Sequence, residues 1–269
     1  MARRRTILIP PSEGKALGGE GPAWHRVPGA GGHPLYAQRR AVVEALGDLM
    51  GRNERRELAP GTLARLFGVR GDALQRAVDA DSSLPEAPTL PAIERYDGVL
   101  YQHLELDTMS PSVADRLDRT VLIASGLWGV VAPHEMIPDY RLKMSANLEP
   151  MGRLSSWWRP ELTHFVEQHA KGTELWNLLP GEHAAALGAT SHRVVNTAVF
   201  LSPDRSGELK AVSHWNKALK GALVAHLVRN PSLRPHDLTE WEHPGGYRLE
   251  PASLEPRDGV RELRFVAPG

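Results

Sequence analysis

The run Thr120-Val121-Leu122-Ile123-Ala124, closed by Ser125-Gly126, constrains the fold more than any other stretch of the chain. It is too short for a helix that stands alone, and it lacks the polar alternation of a strand with one wet face. Such a run predicts a strand buried inside a sheet. Partners for it are read at Thr6–Ile9, stopped by Pro10-Pro11, and at Glu174–Leu178, Arg193–Leu201 and Leu209–Val212. A closing pair falls at about Gly246–Leu249 and Arg261–Val266. Helical spacing lies between these runs. From Tyr36 to Met50 the apolar positions Val42, Leu46 and Leu49, with Val43 and Met50, recur at three and four residues. Shorter helices are expected at about 60–67 and 71–80, a longer one over Trp157–Gln168 with Ser155 or Ser156 as N-cap, and another over His214–Arg229. Residues 16–34 read as a loop rich in glycine and proline, and Leu84–Pro91 as a loop rather than a strand. Strands with helices between them indicate an α/β (mixed α+β) architecture: a compact single domain over 1–269, a mixed sheet with flanking helices.

With 269 residues the chain can bury one large core or two small ones. No apolar run approaches the length of a membrane span, so no membrane association is expected. The basic start Met1-Ala2-Arg3-Arg4-Arg5 is followed only by Ile7, Leu8 and Ile9 before proline, too little for a signal-peptide core, and a cytoplasmic location is expected. Cysteine is absent, which removes disulfides, thiolate zinc sites, iron–sulfur ligation and thiol nucleophiles together. The histidines show no His-Glu-x-x-His pair or comparable spacing, and His134, His214 and His243 read as surface or core residues. Neither a metal nor a cofactor is expected. Lys+Arg and Asp+Glu stand at 32 each, a balance that argues mildly against nucleic acid. Against that, Arg39, Arg40, Arg52, Arg55, Arg56, Arg65 and Arg70 fall close together, and a local basic patch holds phosphate whatever the bulk charge. The plainer reading of the same arginines is a solvated helical face.

The segment from Ala124 to Met144 carries Ser125-Gly126-Leu127-Trp128-Gly129, then Pro133, then Ile137-Pro138-Asp139-Tyr140-Arg141-Leu142. It resembles the signature of the YaaA peroxide-stress family, Ser-Gly-Leu-aromatic-Gly followed by Pro and Ile-x-Pro-Tyr-Arg-Leu, with Asp139 as one extra residue. Further resemblances run in the family's order. They are Ile9-Pro10-Pro11-Ser12-Glu13-Gly14-Lys15, Tyr96 to Tyr101, Asn177-Leu178 with Glu182, Asn216 to Gly221, and Gly246-Tyr247. His183 stands where the family has Tyr. The resemblance implies a largely single-domain mixed α/β body, an association with peroxide stress and limiting iron, and DNA binding through an inserted helix-hairpin-helix.

A helix-hairpin-helix holds phosphate with the backbone N–H groups of a glycine hairpin and the start of its second helix, without reading bases. The pattern Leu-x-x-Leu-(Pro)-Gly-Val-Gly is approximated by Leu63-Ala64-Arg65-Leu66-Phe67-Gly68-Val69-Arg70-Gly71. Gly68 and Val69 fall in place; Arg70 replaces the second glycine, with Gly71 next to it. Arg65, Gly68, Val69, Arg70 and Gly71 are therefore the DNA-binding candidates, with duplex or distorted DNA as partner. An ordinary helix connection ending in glycine is the alternative.

The family-like motifs are polar: Ser12, Glu13, Lys15, Tyr140, Arg141, Asn147, Asn177, Glu182, Asn216, Lys217 and Lys220. In α/β folds such positions gather at one sheet edge, where a lysine-rich cleft suits a phosphate, a nucleotide or a nucleobase. An enzyme of N-glycosidase or lyase type is the second reading, with Lys15, Lys217 or Lys220 attacking a sugar carbon and Glu13 or Glu182 carrying protons. Ser12-Glu13-Gly14-Lys15 is not a P-loop, because the upstream glycine is missing and Ala16 replaces Ser/Thr.

Overall fold

The computed structural model describes residues 4–212 and 216–268. Its strands are β1 (Arg5–Ile9), β2 (Leu90–Pro91), β3 (Val121–Ser125), β4 (Gly129–Val131), β5 (Met136–Ile137) and β6 (Asn147–Leu148). They continue as β7 (Gly152–Arg153), β8 (Glu174–Asn177), β9 (Val195–Pro203), β10 (Leu209–Ala211), β11 (Arg248–Leu249) and β12 (Val260–Val266). The helices are α1 (Tyr36–Glu54), α2 (Thr62–Phe67), α3 (Gly71–Ser83), α4 (Ala92–Arg95) and α5 (Val99–Gln102). After them come α6 (Pro111–Thr120), α7 (Leu154–His169), α8 (Gly181–Ala184) and α9 (Asn216–Arg229).

One mixed eight-stranded sheet organises these elements in the order β11-β12-β9-β8-β1-β3-β4, with β10 also paired to β9. The five inner strands β12, β9, β8, β1 and β3 run parallel. The antiparallel members β4, β10 and β11 sit beside them. All five residues of β1 and of β3 are buried, the burial expected of parallel strands covered on both faces. Parallel neighbours need long crossovers, and the chain from Pro10 to Thr120 that links β1 to β3 carries α1 to α6.

Close packing sets several glycines. A Cβ on Gly221 in α9 would lie 2.3 Å from the Leu100 carbonyl, so α9 crosses α5 backbone to backbone. Trp158 of α7 lies under Gly129 and donates from Nε1 to the Gly126 carbonyl at 2.9 Å. Two buried arginines tie loops to this body. Arg39 donates to the carbonyls of Trp128 and Val130 and pairs with Glu135. Arg95, fully buried, donates to the carbonyls of Ala16, Gly18, Pro88 and Ile137.

The sequence expectations differ from this fold at a few places. Ser155 and Ser156 are not caps, because α7 starts at Leu154, whose N–H donates to the Ala146 carbonyl at 2.9 Å and needs no serine. Leu90-Pro91, read as loop, pairs antiparallel with Met136-Ile137; two residues at a ladder edge tolerate the proline. Helix α1 runs on past Met50 to Glu54. The expected start of the last long helix, His214, lies outside the described residues. The arginine cluster is not one free patch: Arg39 points inward, Arg40 pairs with Glu44 and Arg55 with Glu57. No helix among the described residues is long and apolar enough to cross a membrane.

Candidate functional site

The parallel strands β1, β3 and β8 all end at the same sheet edge, and a cleft of about 350 Å³ opens beyond their carboxyl ends. That size suits a small molecule or one nucleotide unit. Its walls are the loop after β1, the Tyr140–Lys143 segment, the turn after β8 and the first turn of α9. Ser12, Glu13, Lys15, Tyr140, Arg141, Glu182, Asn216, Lys217 and Lys220 all line it. Asn147 and Asn177 do not. Asn147 is exposed on β6, and the Asn177 Oδ1 accepts from the Leu179 N–H at 3.1 Å, turning the chain out of β8.

The Ser12–Lys15 loop is held by the Tyr96–Gly98 segment. Ser12 Oγ donates to the Asp97 carbonyl at 2.8 Å, the Asp97 N–H donates to Gly14 at 3.0 Å, and Lys15 bridges to Tyr96. The approach requires bare backbone, since a Cβ on Gly98 would meet Ser12 Oγ at 2.2 Å. These two resemblance motifs are thus one structural unit.

Lys15 projects from that unit with its Nζ 4.3 Å from the Tyr140 ring centre and 5.6 Å from that of Tyr96. Burial lowers its pKa from 10.5 to about 8; Asp139 and Asp81 pull the other way, while Arg141 adds to the fall. Beneath it runs a buried hydroxyl chain. Ser125 Oγ accepts the N–H groups of Leu127 and Trp128 at 3.2 and 2.9 Å. With its lone pairs so engaged, it donates to Tyr140 at 2.7 Å, and Tyr140 in turn to Tyr96 at 2.7 Å. Burial pushes the Tyr96 phenol up to about 12 and that of Tyr140 well above its ordinary value, so both stay neutral.

Charged groups divide the cleft. Burial alone would raise the Glu13 carboxyl, but Arg141 at 2.9 Å and Lys143 at 3.3 Å hold it below its ordinary range. On the far wall Glu182 accepts from Ser145 Oγ at 2.7 Å and faces His183 Nε2 at 3.5 Å. Burial lowers the His183 pKa, against the pull of Glu182, and its Nδ1 has no partner among the described residues. Lys220 donates to the Leu178 carbonyl at 3.0 Å and is lowered by burial, whereas Lys217 is exposed. Asn216 Oδ1 is buried with no partner among the described residues.

A second groove of about 580 Å³ runs along α3 and shares Glu13, Lys15, Tyr140 and Arg141 with the cleft. The α2–α3 connection adjoins the same place. Gly68 has the left-handed φ of +66°, and a Cβ there would lie 3.0 Å from Lys143 Nζ. Arg65, Gly68, Arg70 and Gly71 are exposed, while Val69 packs onto the core. Arg70 is extended at the N-terminal boundary of α3, and Gly71 takes a positive φ of +56°.

Sequence reasoning missed Asp81, Lys143 and the weight of Asp139. Asp81 is 1 % exposed; one oxygen accepts the Arg141 N–H at 2.8 Å and the other has no partner among the described residues. Burial raises its pKa well above the carboxylate range, although the Arg141 hydrogen bond and Lys15 oppose this. An aspartate inside an ordinary amphipathic helix gives no such signal. Asp139 did give one: it is the extra residue in the Pro-Tyr-Arg motif. Among the described residues no cluster of His, Asp and Glu has the geometry of a metal site.

The fold and site define a mixed α/β body with a lysine- and arginine-lined cleft beyond the carboxyl ends of its parallel strands, next to a two-helix turn. The family described as peroxide stress protein YaaA matches residues 6–253, and the chain belongs to it. A UPF0246 protein of Streptomyces coelicolor is 34% identical over 253 residues, 91% of each chain. Similar proteins of Corynebacterium efficiens and Ruegeria pomeroyi are 31% and 29% identical, covering 84% and 76% of this chain and 85% and 86% of theirs.

Proposed function

We propose that this protein works in the cytosol as a single domain that binds DNA, distorted duplex in particular, and protects it from oxidative damage under peroxide stress. One observation carries the reading. The α2–α3 turn, with exposed Arg65 and Arg70, meets the lysine cleft at Lys143, and the groove along α3 is continuous with that cleft. A phosphate chain laid over the turn is thereby led toward Arg141, Lys143 and Lys217. Gly68 takes its positive φ as the C-cap of α2, with its N–H on the Ala64 carbonyl at 3.0 Å, so what the turn offers a phosphate is the exposed side chains of Arg65 and Arg70.

Binding is tested with duplex, bulged and single-stranded DNA across a salt series. Affinity should be highest for distorted DNA and fall steeply with salt, and Arg65→Ala with Arg70→Ala should reduce the slope of log K against log salt by about 2. A slope unchanged by both substitutions rules out the turn as the DNA contact.

A second reading is an enzyme of N-glycosidase or lyase type acting on a nucleotide, nucleoside or damaged base. It is favoured by the withdrawn ammonium of Lys15. It predicts release of base or scission of a strand in multiple-turnover assays, and its loss in Lys15→Ala.

A further inference from the structure

We propose that Lys15 is a nucleophilic amine that forms a Schiff base with an aldehyde held at the junction of cleft and groove, the open-chain sugar of an abasic site in DNA being the substrate class. The proposal rests on the DNA-binding reading above and names the reactive group and its electrophile.

The cleft holds four lysines, and their environments differ. Lys220 is tied to the Leu178 carbonyl, Lys143 is paired with Glu13, and Lys217 lies in solvent. Lys15 has only a long contact to the Ser12 carbonyl, at 3.4 Å, and the faces of two tyrosines; no carboxylate pairs with it among the described residues. It alone of the four lines both cavities. Its backbone is pinned by the bridge to Tyr96 and by the Ala16 N–H on the Arg95 carbonyl at 2.8 Å. The amine is therefore presented at a fixed place rather than on a mobile loop. With its pKa lowered to about 8, roughly one lysine in ten is unprotonated at pH 7, against a few in ten thousand at the ordinary value.

The cleft also suits the electrophile. An abasic sugar carries no base to stack but keeps both flanking phosphates, and Arg141, Lys143 and Lys217 line the same cleft as Lys15. The neutral Nζ attacks the C1′ aldehyde carbon, and the carbonyl oxygen takes the proton that the nitrogen sheds. A second proton from solvent lets that oxygen leave as water, giving the protonated imine. Asp139, whose charge raises the Lys15 pKa, is a positioning residue: it sets where the amine titrates.

The experiment incubates the full chain with duplex DNA carrying an aldehydic abasic site and adds borohydride, whose hydride reduces the imine carbon and fixes the adduct as a secondary amine. The expected result is a covalent complex on a denaturing gel, with the modified peptide containing Lys15. Lys15→Arg, which keeps the charge and whose fold is checked by a cooperative thermal melt, should lose the adduct by about 100-fold. Asp139→Asn should move the trapping profile to lower pH. A parallel titration uses the tetrahydrofuran analogue, which has no aldehyde. Binding to the analogue with no adduct on the aldehyde overturns the Schiff base and leaves the DNA-binding reading standing. An adduct mapped to another lysine overturns the assignment to Lys15. Failure to bind either duplex overturns both.

Discussion

Replacing Lys15 by methionine removes a cation that the fold has withdrawn from water while keeping a side chain of similar length. The fall from 10.5 to about 8 corresponds, at 1.36 kcal/mol per pH unit, to a native-state cost of about 3 kcal/mol for holding the ammonium charged. Loss of the contact to the Tyr140 face forfeits about 1 kcal/mol of that gain. At pH 7 the variant should therefore be more stable than the natural chain by about 2 kcal/mol. The sign with pH follows from the two pKa values. Between about 8 and 10.5 the unfolded chain still holds the proton that the native chain has released, so the natural protein gains stability as pH rises. The variant cannot, and its advantage should vanish by the top of that window. Urea unfolding followed by tryptophan fluorescence at pH 7 and pH 10 measures the difference, with unchanged m-values required for the comparison. If methionine destabilises the protein equally at both pH values, Lys15 carries no burial cost and the reasoning about its reactivity loses its physical basis.

Three further predictions concern the frame of the site. Gly221→Ala should lower stability by roughly 2–3 kcal/mol, because its Cβ would meet the Leu100 carbonyl at 2.3 Å and force α9 off α5; thermal melting against Gly181→Ala, where the space is open, is the check. Ser125→Ala should cost roughly 2–3 kcal/mol by stranding the N–H groups of Leu127 and Trp128 and the Tyr140 hydroxyl; a neutral denaturation midpoint would show that another group takes over those bonds. Gly68→Ala should cost about 1 kcal/mol from the left-handed backbone and press on Lys143, so DNA affinity should fall more than the melting temperature suggests. Affinity that tracks stability alone would argue that the turn makes no contact.

The order of strands and helices could be read along the chain because local rules set it. β1 and β3 are short apolar runs, and α1 and α9 repeat apolar residues at helical spacing, features fixed by backbone geometry and near neighbours. The motifs that line the cleft were legible for a similar reason: polar residues after strand ends have few other uses in an α/β fold. What a given charged residue does there depended on partners far away in sequence. Arg39 looks like its exposed neighbour Arg40, yet only Arg39 reaches the Trp128 and Val130 carbonyls and Glu135. Lys15, Lys217 and Lys220 are the same residue type in similar motifs. Tyr140 and Tyr96, packed against Lys15, withdraw its ammonium partly from water, while Lys217 is exposed. Asp81 reads as a surface helix residue until α3 folds over the Arg141 backbone and buries its carboxyl. Periodicity is a property of the local chain, so the sequence alone determined the elements. Desolvation and Coulomb energy depend on distance in space, so only the tertiary structure decided which cations stay exposed and which are buried.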